Sequence, residues 1–274
     1  MSMIKLVIDC TSEMSCAEAR AMGIIALPLR MTIDNQEYLA GENLTNAEFY
    51  EKLATCKTLP KTMAVNPNDY IDVIKPLLDA GDQVFAMSIS SGLSSTFNNL
   101  RLAAEQLNSP NLRIFDTQTF TLAYYALAME AHKMIEAGAT LDEIDTRLTQ
   151  LRDKVKIFTI IDNMKYLIKG GRISFVKGLL AETLHIKPII GVVNKTLKMV
   201  GKAIGYNGAK KQMLKFTANV DRNLPIYYGH ANAPEKAEDF KQIFDFAWAE
   251  KREVGPIIGT HGGPGCVGLA FFEK

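Results

Sequence analysis

Gln83-Val-Phe-Ala-Met-Ser-Ile89 runs into Ser90-Ser-Gly-Leu-Ser-Ser-Thr96, after which Phe97, Leu100, Ala103, Ala104 and Leu107 recur at helical spacing before Leu112 to Phe115. A strand, a serine-rich turn, an amphipathic helix and a second strand form a crossover unit, and a helical crossover joins parallel strands. The same alternation extends in both directions. Upstream, Ile4 to Ile8 reads as a strand, Ala17 to Met22 as a helix, and Ile25 to Ile33 as an edge or bent strand broken by Pro28. Thr45-Asn-Ala-Glu48 is a capping box opening a helix through Leu53, and a further helix spans Asp69 to Leu78. Downstream, Tyr124 to Ile135 reads as a buried helix stopped by Gly138, and Thr140 to Glu143 as a second capping box. Strands are expected at Lys156 to Ile161, Lys187 to Val193, Ile226 to Tyr228, near Val254 to Ile258, and at Val267 to Phe272. Helices are expected after the Gly-Gly-Arg segment, from Ala209 and after Pro234. The pattern predicts an α/β fold with largely parallel sheets.

The chain has 274 residues, 47% of them hydrophobic and 22% charged, which excludes general disorder and suits one large or two moderate domains. A boundary between residues 1–154 and 155–274 fits the alternation. A net charge of +1 supplies no field for steering onto a phosphate backbone, so nucleic acid is not an expected partner. Cys10, Cys16, Cys56 and Cys266 form no C-x-x-C pair and read as reduced thiols. No apolar run approaches the ~18 residues needed to span a bilayer, and the start of the chain shows no export signal. A cytoplasmic protein without stable membrane insertion is expected.

Several segments carry chemistry. Ser90 to Thr96 sits where a strand ends and a helix begins, a place where free amides favour an anion. Helix capping by Ser94 is the simpler reading, because Ser is a favoured N-cap. Ser94 as a nucleophile is a third, although Thr96 stands where the G-x-S-x-G elbow needs Gly. Thr260-His-Gly-Gly-Pro-Gly265 places His261 at an expected strand end beside flexible backbone, suited either to a carboxylate or to a solvated turn. His230 ends the preceding strand in the same way, whereas His132 and His185 fall within helical patterns and read as surface or packing residues. Gly170-Gly171 before Arg172 suggests a tight loop that presents a guanidinium to an anion.

Three absences are informative. No pair of histidines or cysteines has metal-ligand spacing, so no metal is expected. Gly263-Pro-Gly-Cys-Val-Gly268 matches a dinucleotide fingerprint literally but leaves six residues after it, too few for the required helix and strand. Near Gly201-Lys202, Thr196 and Ala203 stand where a phosphate loop needs Gly and Ser or Thr. No cofactor is expected.

Taken in order, these segments resemble the DegV family of bacterial lipid-binding proteins over nearly the whole chain. Asp9-Cys-Thr11 is similar to the family's Asp-Ser-Thr turn, and Lys61-Thr-Met-Ala-Val65 to its Lys-Thr-Ser-Gln-Pro segment, with Met63, Ala64 and Val65 departing. Ser90 to Thr96 is similar to Ser-Ser-x-Leu-Ser-Gly-Thr with Ser95 in place of Gly. Asp116-Thr117, Gly170 to Ser174, Ile186-Lys-Pro188, His230 and Thr260 to Gly268 fall in register. The Leu-x-x-Gly-Gly-Arg-Ile-Ser string and the final Thr-His-x-Gly-Pro-Gly are the more specific signatures.

The resemblance implies two α/β domains with a long-chain fatty acid between them. It assigns the carboxylate to Thr62 and Ser94, with His261 as third partner and Ser90 and Ser91 supporting the loop. It also implies a protein that is not itself an enzyme, resembling the substrate-carrying subunit of bacterial fatty acid kinase, whose ATP-binding subunit makes an acyl phosphate for phospholipid metabolism. Arg172 and His230 would then lie near the docked kinase or the phosphoryl group. A second arginine common in such relatives is replaced around Ile204, with Lys202 the nearest cation. The rival readings are a serine acyl hydrolase or transferase using Ser94 with His261, and a lipid store or transporter without a kinase. Tail burial contributes about 0.8 kcal/mol per methylene, so an apolar tunnel would supply most of the affinity and the polar end the orientation.

Overall fold

The computed structural model describes residues 3–172 and 185–274. The helix expected after the Gly-Gly-Arg segment, together with Ile173 and Ser174, lies outside the described residues.

The first sheet is the parallel one that the sequence predicts. Its strands are β1 (Ile4–Asp9), β2 (Ile25–Leu27), β6 (Gln83–Ser88) and β7 (Leu112–Asp116), in the order β2-β1-β6-β7 with every pairing parallel. Helices cover both faces, which is why these strands are apolar on both sides. Leu6, Ile8, Phe85 and Met87 pack towards α5 (Thr121–Glu136) and α6 (Leu141–Lys154). Val7, Val84 and Ala86 pack towards α3 (Pro67–Asp79) and α4 (Thr96–Leu107). Both sequence-read capping boxes are present, at α2 (Asn46–Thr55) and α6, and Asn66 with Asp69 forms a third at α3. The first helix, α1 (Cys16–Ala21), is capped by Ser15.

Pro28 does more than bend a strand. Residues before it pair with β1, whereas β3 (Arg30–Ile33) turns into a separate three-stranded antiparallel sheet with β4 (Gln36–Leu39) and β5 (Lys61–Thr62). A residue without an N–H cannot continue a ladder, so the chain changes sheets there.

The second sheet departs from the parallel expectation. It joins β8 (Val155–Ile160), β9 (Ile186–Val193), β10 (Thr196–Ile204), β11 (Tyr227–His230), β12 (Glu250–Glu253) and β13 (Val267–Phe272) in the order β10-β9-β8-β13-β11-β12. Only β11 and β12 are parallel. The turn between β9 and β10 consists of Asn194 and Lys195 with φ of 50° and 66°, the left-handed pair of a tight hairpin, which forces antiparallel pairing. The α8 (Gly205–Phe216) and α9 (Pro234–Lys241) helices cover one face, where Met213 and Phe240 join the same core as Phe271 of β13. The other face meets α5, where Tyr125 packs edge-on against Tyr227. Buried along nine positions, α5 is apolar nearly all round because both sheets cover it.

The strand expected at Val254 to Ile258 is a correction. Glu250–Glu253 forms the strand, and residues from Pro256 form α10 (Pro256–Gly262). Proline's fixed φ suits the first helical turn, and this outweighs the β-branched Ile257-Ile258 pair. His261 therefore lies in the last turn of a helix rather than at a strand end. His185, read within a helical pattern, sits in a turn before β9, while His132 lies in α5 as expected. No described helix is long and apolar enough to cross a membrane, and the described residues contain no cluster suited to a metal ion.

Candidate functional site

The site begins at a topological switch point. From β1 the chain passes to β2 on one side, while β6 adjoins β1 on the other, so the loops after β1 and β6 diverge and leave a crevice. Asp9 ties these loops together beneath it. Its carboxylate accepts the Thr11 N–H and the Ile89 N–H, each at 3.0 Å, and the Thr11 hydroxyl. Burial raises the Asp9 pKa against the opposing effect of these bonds.

The serine loop divides into two parts with different roles. Ser90 Oγ donates to the Lys195 carbonyl at 2.7 Å and accepts the Gly92 N–H at 3.2 Å. Ser91 Oγ donates to Asp116 at 2.6 Å, with its N–H on the same carboxylate at 3.1 Å. Both hydroxyls are thus committed to holding the loop, and neither residue lines the cavity. A Cβ on Gly92 would overlap the Lys195 carbonyl, so the loop and the β9–β10 hairpin touch only because position 92 is glycine. Ser94 and Ser95, further along, do line the cavity. Ser94 Oγ lies 2.8 Å from Thr96 Oγ1 and accepts the Thr96 N–H at 3.2 Å, so it secures the start of α4.

The cavity itself measures about 220 Å³. Thr62, Ser94, His261 and Arg172 all line it, together with Leu29, Phe120, Ile161, Leu167, Ile190, Leu197 and Ile257. They come from β5 of the three-stranded sheet, from β9 and β10 of the six-stranded sheet, from α10, and from loops that include the serine loop after β6. Thr62 Oγ1 and His261 Nε2 are 3.0 Å apart although 199 positions separate them in the chain. Burial, reinforced by the Arg172 charge, pushes the His261 pKa down to about 4, so the imidazole is neutral at physiological pH. Arg172 is exposed and donates to the Gly170 carbonyl at 2.6 Å. Hydroxyls and a neutral imidazole over an apolar wall can hold a ligand with an anionic head and an apolar tail, while the exposed Arg172 guanidinium stands outside that hold, open to a further anion. The Ser94 hydroxyl has Thr96, not His261, as its partner, so the nucleophile-base contact of a hydrolase is absent from these described residues.

His230 ends β11 as expected but does not reach the cavity. It is buried, its Nδ1 accepts the Ala233 N–H at 3.3 Å, and it lies 3.9 Å from Glu253. Burial lowers its pKa, with Glu253 opposing. Ile204, at the end of β10, is 80% exposed, and Lys202 beside it is exposed as well. Sequence reading missed Ser95, Leu197 and Cys266 as lining residues; only the family's small residue at position 95 offered a signal.

The fold and this site define an α/β protein with a mixed polar and apolar cavity between its sheets, and comparison with known proteins gives it a family. The chain matches the family described as "Uncharacterised protein, DegV family" over residues 3–274, and it belongs to that family. A DegV domain-containing protein of Clostridium acetobutylicum is 29% identical over 282 residues, covering 100% of both chains. A fatty acid binding DegV family protein from Streptococcus agalactiae has a TM-score of 0.87 at 25% identity, covering 100% of both chains. A DegV family protein from Thermus thermophilus, described for its fatty acid binding, has a TM-score of 0.89 at 24% identity, covering 99% of this chain and 100% of its own.

Proposed function

We propose that this protein binds a long-chain fatty acid in the cytoplasm, without catalysis of its own, and presents the carboxylate to a separate ATP-dependent kinase subunit for acyl phosphate formation. The observation that carries the reading is the convergence of Thr62, Ser94, His261 and Arg172 on one largely apolar cavity, in a chain whose solved relatives are described as fatty acid binding. Thr62 and Ser94 hold the head group, His261 orients it, and the tail lies between residues 1–154 and 155–274, which act as two domains. Ser90 and Ser91 support the loop from beneath, while Arg172 faces the kinase or the transferred phosphoryl group. His230, buried in β11 with the Ala233 N–H on its Nδ1, supports that face from within by fixing the turn after β11 and touches neither the ligand nor the kinase.

Native mass spectrometry of the purified protein is expected to show one fatty acid per chain. Thr62→Val and Ser94→Ala should each weaken its retention by about 1.5–3 kcal/mol, the range for a hydrogen bond to a charged group. Unchanged retention in both variants would overturn the head-group assignment. Arg172→Ala should leave lipid binding intact and lower acyl phosphate formation with the kinase subunit. The exposed Ile204 favours a second reading, storage or transport without a kinase, because the resemblance leads one to expect a cation there. Tight lipid binding by a protein on which no kinase subunit acts would select it.

A further inference from the structure

His261 is gripped on two sides. Its Nε2 lies 3.0 Å from Thr62 Oγ1, while its Nδ1 is buried with no hydrogen-bond partner among the described residues. Gly170 stands against Nδ1, so closely that a Cβ at position 170 would overlap the ring. Gly170 caps α7 (Met164–Lys169), and its own N–H is already donated to the Tyr166 carbonyl at 2.8 Å. Tyr166, one turn earlier on the same face, has its ring against Gly263, where a Cβ would also overlap. The two short helices therefore interlock, the Tyr166 ring over Gly263 and the His261 ring in the notch at Gly170.

We propose that Gly170 is a positioning residue that holds His261 as the Nε2–H tautomer and so turns the Thr62 hydroxyl proton towards the ligand. A buried N–H without an acceptor is rarer than an under-used acceptor, so Nδ1 carries no proton in that notch. The single proton of a neutral imidazole is then on Nε2, which donates to Thr62 Oγ1. Thr62 keeps its own O–H free, and a carboxylate, which only accepts, requires such a donor. In the opposite tautomer Thr62 would spend its proton on Nε2 and turn lone pairs towards the carboxylate. The inference deepens the fatty acid reading and rests on it for the identity of the ligand.

Two measurements test it. Long-range proton-nitrogen NMR of the histidine-labelled protein, with no lipid added, is expected to show His261 protonated on Nε2, and an Nδ1–H signal overturns the proposal even if no variant folds. A double-mutant cycle with oleate then compares the wild type, Gly170→Ala, His261→Ala and the pair. Gly170→Ala should weaken oleate by about tenfold alone, equivalent to one lost hydrogen bond, and by nothing further once His261 is gone. Additive losses, or no loss in the single variant, overturn it. A wild type that rejects oleate but shows the Nε2–H signal sinks the fatty acid reading while leaving the tautomer assignment standing.

Discussion

Glu13 directly follows the turn that ends β1, with φ of 64°, and its buried carboxylate accepts the Gly255 N–H at 2.5 Å at the start of α10. Burial pushes its pKa up from 4.5 to about 7, against the opposing effects of the Gly255 bond and Arg252, while Asp9 adds to the rise. The fold therefore favours the neutral acid. Its contribution is full below the unfolded pKa of 4.5, is lost as pH rises towards about 7, and is flat above that. The slope between these limits corresponds to about 3 kcal/mol. Urea denaturation of the wild type should show this decline between pH 4.5 and 7, and Glu13→Gln should flatten it; equal slopes would exclude Glu13 as its source. No sequence pattern flags this residue, because its burial comes from Gly255, which is 242 positions away.

Among the elements, the serine loop and the β9–β10 hairpin depend on each other most directly. Gly92→Ala would force its Cβ into the Lys195 backbone and separate Ser90 Oγ from its acceptor. A cost of about 1–3 kcal/mol is expected, typical of overpacking, with faster amide hydrogen exchange confined to residues 90–96 and the hairpin. Uniform exchange would show that the two elements are not coupled. Legibility in the sequence follows the same boundary between local and distant causes. Helices α2 and α6 announced themselves because a capping box is written within four residues. By contrast, β10 has no legible alternation, because lysines and a register shift between Met199 and Gly201 interrupt it. Likewise, the α10 sequence carries a strand signal in Ile257-Ile258 that local patterning weighs above the helix-start signal of Pro256. The pairing of Thr62 with His261 has no local signal at all, and the resemblance of whole motifs brought these residues together before any geometry did.

At the scale of the molecule, Arg252 joins the two sheets' surroundings. From β12 it donates to both Glu18 oxygens at 2.6 Å, to Glu250 at 2.6 Å and to the Glu13 carbonyl at 2.5 Å, and it lies 4.3 Å from the centre of the Tyr125 ring. Removing one partner of a buried ion pair typically costs about 3–5 kcal/mol, so Arg252→Ala should lower stability by that order in urea denaturation. Arg252→Lys should recover only part of it, since an ammonium cannot serve these acceptors as a planar fork does. Full recovery would mean that charge alone matters there. The four-stranded sheet closes with β7 at Asp116 and the six-stranded sheet opens with β8 at Val155, an order of elements that the alternation of strands and helices conveys. That a single helix serves both sheets was not legible, since an all-apolar run does not say what will cover it.

The position of α5 has a calorimetric consequence. One face of this helix belongs to the core of the first sheet and the other to the core of the second, so neither half keeps a complete interior if its neighbour melts. Heating should therefore give one endotherm whose calorimetric and van't Hoff enthalpies agree, rather than two separate transitions. A chain ending at Lys154 would leave the Tyr125 side of the helix facing water and should sediment as an associated species rather than as a monomer.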